Sequence, residues 1–148
     1  MGHGASHPEA VRKGRNPSTI WPMKGYSFTA PLGPSAPTVS ITDTARKIVF
    51  CRLDGKMRIA GLAELGATES SVDAGRLQYL VRTAREALPG AADYDCAAEG
   101  WAGLRPMSPS SVPIISRPRH DVILNLGHGM LGWTFAMGAA ERAARLLE

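Results

Sequence analysis

The chain is short of cysteine, of aromatic side chains and of any long apolar run. Its two cysteines, Cys51 and Cys96, stand far apart and without metal-site spacing, so a reduced pair is expected and no metal. Aromatic residues make up 6% of the chain and no block of five like charges occurs, which argues against a nucleic-acid surface. No apolar stretch approaches the roughly 18 residues of a membrane-crossing helix, and the N-terminus lacks the apolar core of a signal peptide. The expected compartment is therefore the cytoplasm. Internal repeats and low-complexity tracts are also missing.

What is present is ordinary for a folded protein. Of 148 residues, 44% are apolar and 20% charged, enough for one domain with a core and too few for two large ones. The net charge of +4 is spread thinly: Arg12, Lys13, Arg15 and Lys24 face only Glu9 in residues 1–24. The remainder is close to balanced.

Taken in order, residues 1–20 are rich in Gly, His, Pro, Ser and basic side chains without a period, and read as a mobile tail. Trp21 to Pro37 is broken by prolines and glycines, leaving Lys24 to Ala30 as its best strand, with Tyr26, Phe28 and Ala30 on one face. Lys47–Leu53 and Lys56–Leu62 are joined by Asp54-Gly55, the residue pair preferred in a type I′ hairpin turn. Thr38 to Thr42 could add a third strand. Asp73 is a candidate N-cap for a helix with Leu77, Leu80, Val81, Ala84 and Leu88 on one face, ended by Pro89-Gly90 and expected to shield the hairpin. Strands are expected over Asp95–Trp101, Val112–Ile115 and Asp121–Leu126. Between the first two, Pro106 and Pro109 stiffen an expected loop that would present Arg105. A final helix over Phe135–Leu147 carries few charges and is expected to be mostly buried, although the chain offers it few partners.

The stretch Asn125 to Thr134 stands out. A buried strand, His120 to Leu126, opens through three glycines into that last helix. Unpaired backbone N–H groups and the positive end of the helix dipole make such a turn a seat for an anionic group, and glycines let a ligand approach closely. Gly127, Gly129 and Gly132 also match G-x-G-x-x-G. The dinucleotide fingerprint further requires a following strand and an acidic residue about 20 positions on, which residues up to Glu148 do not supply.

Five ordered motifs resemble a known family. W-A-G-L-R-P-M-S-P (Trp101–Pro109), V-P-I-I (Val112–Ile115) and L-N-L-G-H-G-M-L-G-W-T (Leu124–Thr134) look like the C-terminal third of FAD-dependent D-amino acid dehydrogenases, in the D-amino acid oxidase and glycine oxidase superfamily. P-M-K-G-Y-S-F-T (Pro22–Thr29) and R-I-A-G-L-A-E (Arg58–Glu64) agree in order. The resemblance implies an α+β fold of mostly antiparallel sheet with one packing helix, and a C-terminal strand-loop-helix that belongs with the FAD domain. It divides the chain into the tail 1–20, a substrate-binding portion 21–100 and a flavin-contacting segment 101–148.

Roles follow from the resemblance. Arg105 would bind the substrate carboxylate, and Tyr26 would line the pocket or serve as a sheet-face aromatic. Gly127, His128, Gly129, Met130, Leu131, Gly132, Trp133 and Thr134 would lie against the flavin ring of FAD, with Gly129, Leu131, Gly132 and Thr134 at its pyrimidine edge. His128 is read as a structural or flavin-edge residue rather than a base. The implied reaction is oxidative deamination of a D-amino acid to a 2-oxo acid and ammonia, with a nucleotide-binding half as the missing partner. A peripheral inner-membrane position would follow from the electron acceptor. The alternatives are a non-catalytic remnant that packs on a partner and a glycine- or sarcosine-type oxidase. Departures are Ser110-Ser111 in place of the usual Asp-Gly and Ser116 in place of a glycine.

Overall fold

The computed structural model describes residues 20–97 and 100–148. Apart from Ile20, the tail expected over 1–20 lies outside them. The strands are β1 (Trp21–Pro31), β2 (Ile41–Asp43), β3 (Ile48–Leu53), β4 (Lys56–Leu65), β5 (Trp101–Met107), β6 (Ile114–Arg119) and β7 (Val122–Leu126). The helices are α1 (Ala74–Ala87) and α2 (Gly132–Ala144), with 3₁₀ turns at Tyr94–Cys96 and Gly129–Leu131. The fold is α+β. β1 to β5 form one sheet in the order β2-β3-β4-β1-β5, and β6 pairs with β7 alone. The described pairings β2–β3, β3–β4 and β6–β7 are all antiparallel. Among the described residues no helix is long and apolar enough to cross a membrane.

Contacts divide the chain into two compact units. One comprises Lys24–Glu64 and Glu69–Gly103; the other comprises the described residues through Met23, with Leu65–Thr68 and Leu104–Glu148. The first unit holds the core. Tyr26, Phe28 and Ala30 of β1 pack with Ile48, Phe50, Met57 and Ile59 of the hairpin and with Leu80 and Ala84 of α1. The hairpin forms where its turn residues require it: Asp54 and Gly55 take φ of 50° and 71°, as a type I′ turn demands, and Leu53 pairs with Lys56. Helix α1 starts at Asp73, whose carboxylate accepts the Arg76 N–H at 2.8 Å, and its Leu80 packs so closely on the sheet that a Cβ at Gly61 would lie 2.8 Å from Leu80 Cδ1.

Several sequence expectations are corrected. The strand expected over Asp95–Trp101 does not start at Asp95: the Asp93 carboxylate caps a 3₁₀ turn by accepting from the Asp95 and Cys96 N–H groups, and β5 begins at Trp101. The loop expected around Arg105 is instead the body of β5. Pro106 is tolerated there because β5 ends the strand order, and an edge strand can spare an N–H. The buried strand expected before the glycines is half-buried, being one arm of a two-stranded hairpin whose β6 runs Ile114–Arg119. In α2 only Ala139 is buried, while Trp133 and Met137 are 95% and 85% exposed, so the described residues do not bury this helix, in keeping with its expected shortage of partners within the chain.

Candidate functional site

Arg105 and the glycine turn belong to the same unit. The residue at 107 pairs with His128 in an isolated antiparallel bridge, which ties the end of β5 to the turn after β7. Met107 reaches the turn: a Cβ placed on Gly129 would lie 2.7 Å from Met107 Sδ. Strand residues two apart share a face, so Arg105 stands on the face of β5 that meets the turn, about 7 Å along the strand from Met107. The guanidinium is partly buried, and this desolvation pulls its pKa below the usual arginine value. Among the described residues it has no hydrogen-bond or ion-pair partner. A partly desolvated guanidinium without a protein partner suits a carboxylate, whose two oxygens match its planar fork.

Gly127 and Gly129 take φ of +75° and +56°, where L side chains are strained. A Cβ at Gly127 would sit 2.9 Å from Ser108 Cβ. These two glycines are thus required by the chain's own packing, whereas the sequence suggested that they make room for a ligand. Gly132, with an ordinary helical φ, would set a Cβ only 3.3 Å from the His128 Cβ. The turn continues into the 3₁₀ segment, where the Leu131 N–H bonds the His128 carbonyl at 3.2 Å, and then into α2. No side chain caps that helix and no acidic residue stands in its first turn, so its N–H groups stay open to an electron-rich guest. His128 Nε2 lies 2.8 Å from Asn125 Oδ1, and its Nδ1 is buried without a partner among the described residues. Met130, Leu131 and Trp133 are exposed.

The turn after β5 supports this arrangement. Ser108 is buried and donates its hydroxyl to the Val112 carbonyl at 2.7 Å, while its own carbonyl takes the Ser111 N–H at 3.1 Å. Ser111 takes φ of +59°, at the position where the resemblance expects glycine. Thr134 lines a cleft of about 370 Å³ with Val112, Ile115, Phe135, Gly138 and Arg142. A second cleft of about 380 Å³ is lined by Trp21, Met23, Leu65, Met107, Ser108 and Ser111. Arg105 lines neither.

Tyr26 lies in the other unit, 1% exposed, with its hydroxyl donated to Glu64 Oε2 at 3.1 Å and Lys24 Nζ 5.3 Å from its ring centre. It is a core residue there, the sheet-face alternative. Sequence reasoning missed Asn125 and Ser108 as supports. The signal for the first was an amide three residues before His128 at a strand end. Among the described residues no metal-ligating cluster is found.

A family model described as FAD dependent oxidoreductase matches residues 1–146. The chain belongs to the FAD-dependent oxidoreductase family. Among family relatives, "D-amino acid dehydrogenase 2" of Ralstonia nicotianae is 41% identical over 138 residues, covering 86% of this chain and 32% of that protein. The chain therefore spans about a third of the length of such relatives. Glycine oxidase from Geobacillus kaustophilus superposes with a TM-score of 0.79 at 19% identity, over 97% of this chain and 39% of that one. L-alpha-glycerophosphate oxidase from Mycoplasma pneumoniae, with FAD bound, gives 0.74 at 17% identity over 88% and 37%. At these identities the two structures show a shared fold. The open helix start and Arg105, without a partner among the described residues, fit the ring end of a flavin beside an anionic group.

Proposed function

We propose that this chain supplies the carboxylate-binding and flavin-ring side of an FAD-dependent D-amino acid dehydrogenase, which converts a D-amino acid and water to a 2-oxo acid and ammonia. The observation that carries the reading is Arg105, partly buried and without an ion-pair partner among the described residues, held on the same unit as an uncapped helix start. When bound, the flavin would accept the Cα–H hydrogen of the amine as a hydride, which carries both electrons of the oxidation. Arg105 binds and orients the substrate carboxylate through two parallel hydrogen bonds. The backbone of Gly127 to Thr134 forms the surface for the ring, and the N–H groups at the start of α2 place positive potential where negative charge develops on reduction. The positions from His128 to Trp133 shape that surface. The phosphates and adenosine are held by a nucleotide-binding partner region, in the same polypeptide or a separate one.

The test is complementation. The chain is mixed with the nucleotide-binding part of the Ralstonia nicotianae relative, and D-alanine-dependent dye reduction is measured. Activity that falls at least tenfold with Arg105→Lys and disappears with Arg105→Ala supports the reading. Full activity in Arg105→Ala overturns it. Purified alone, the chain is expected to hold less than stoichiometric flavin.

A further inference from the structure

The two ring nitrogens of His128 stand in different surroundings. Nε2 faces Asn125 Oδ1 at 2.8 Å, and Nδ1 is buried with no partner among the described residues. Two proton arrangements fit these positions. If the amide oxygen accepts from Nε2–H, the buried Nδ1 is a bare lone pair. If the amide is turned and donates its N–H to Nε2, the proton moves to Nδ1 and becomes a buried donor with no acceptor. Orphaned buried N–H groups are the rarer case, so the first arrangement prevails.

We propose that Asn125 is the positioning residue of the glycine turn: its carboxamide oxygen holds the His128 imidazole as the Nε2–H tautomer, with Nδ1 turned inside. Asn125 ends the exposed side of β7, opposite Ile115, on a backbone fixed by the hairpin. His128 lies three residues on, where its carbonyl receives the Leu131 N–H and its backbone bridges to residue 107 of β5. One amide thus sets the orientation of the ring at the hub that joins β7, β5 and the start of α2. The consequence for the reaction rests on the proposed flavin-facing role of this turn. With Nδ1 turned inside and Nε2 on the Asn125 oxygen, the electrostatic task at the flavin edge falls to the backbone N–H groups of α2.

The experiment uses the full chain without flavin, so its outcome is independent of carboxylate binding at Arg105. The four histidines are labelled with ¹⁵N and the side-chain nitrogens are read by long-range ¹H–¹⁵N correlation at mildly alkaline pH. His128 is assigned by its absence in His128→Gln. The expected pattern is a protonated Nε2 and an unprotonated Nδ1 in the wild type. Asn125→Asp retains it, because the oxygen acceptor remains. Asn125→Ala mixes the two tautomers and speeds hydrogen exchange at the Leu131 amide about fivefold, the factor for one lost hydrogen bond. A wild-type spectrum with the proton on Nδ1 overturns the proposal, whatever the variants do. A folded Asn125→Ala with an unchanged His128 pattern overturns it as well.

Discussion

Replacing Arg105 by methionine separates a receptor from a structural ion pair, because the two readings differ in the sign of the stability change. Methionine keeps the apolar stem in place and removes the charge. Burial lowers the Arg105 pKa, so the cation, the only form present at neutral pH, is less comfortable in the folded chain than in the unfolded one. No partner among the described residues offsets this. Part of the guanidinium still meets solvent, and screening by water reduces the penalty to about 0.5–1 kcal/mol. Arg105→Met is therefore expected to stabilise the chain by that amount, which for a chain of this size raises Tm by about 1–4 °C. Thermal unfolding followed by circular dichroism, with Arg105→Lys as the charge-retaining control near the wild-type Tm, reads the difference. In the complemented enzyme the same substitution removes two charge-assisted hydrogen bonds to a carboxylate, worth on the order of 2–4 kcal/mol, or about 30- to 1,000-fold in kcat/KM. A lowered Tm for Arg105→Met would refute the reasoning, since it would mean that the guanidinium serves the fold.

Gly129→Ala puts a Cβ into a position with φ of +56° and against Met107 Sδ; a loss of about 1–3 kcal/mol is expected in urea unfolding, and an unchanged midpoint would show that the turn relaxes freely. Tyr94, whose hydroxyl donates to the Leu88 and Ala84 carbonyls, has its pKa pushed up to about 12 by burial, against a smaller pull downward from Arg85. A raised folded-state pKa gives stability that is complete below the unfolded value near 10 and is lost as pH rises towards 12, about 1–2 kcal/mol after solvent screening; urea titrations at pH 9 and 11 should show that loss in the wild type and not in Tyr94→Phe. Arg117 donates to the His120 carbonyl at 3.1 and 2.7 Å and to the Leu146 carbonyl at 2.7 Å, so Arg117→Met should expose the last turn of α2 and raise amide exchange there several-fold with little effect on the first unit.

Elements whose cause is local were legible in the sequence. Asp54-Gly55 dictates its turn whatever surrounds it, and Asp73 caps α1 from three residues away. The misreadings differ in cause, one local and the others tertiary. Asp93 caps a 3₁₀ turn two and three residues ahead of it, a local signal that the strand-like pattern of the following residues obscured. Pro106 reads as a loop residue until β5 is known to be an edge. An apolar helix such as α2 announces a need for burial, but not whether these residues meet it; Trp133 and Met137 show that the described residues do not. At the site, Arg105 and the glycine turn were both legible as pieces, while Asn125 and Ser108 were not, because their roles depend on which carbonyls and ring nitrogens the fold brings to them.

The coupling between those pieces changes what the three glycines mean. Spacing alone gave them one role, a cradle for a ligand. In the structure Gly127 fits against Ser108 and Gly129 against Met107, and these two residues continue directly from Arg105 and Pro106. Arg105 and the helix start are then one mechanical piece. A side chain at Gly129 must displace Met107, and the strand that carries Met107 moves Arg105 with it. Catalysis by hydride transfer depends on reacting atoms held near 3–3.5 Å, where a 1 Å displacement can cost about a hundredfold. On the proposed function the glycines would therefore fix the distance between the substrate's carboxylate and the ring of the cofactor, and the anion-binding task suggested by their spacing would rest with the N–H groups of α2 beyond them.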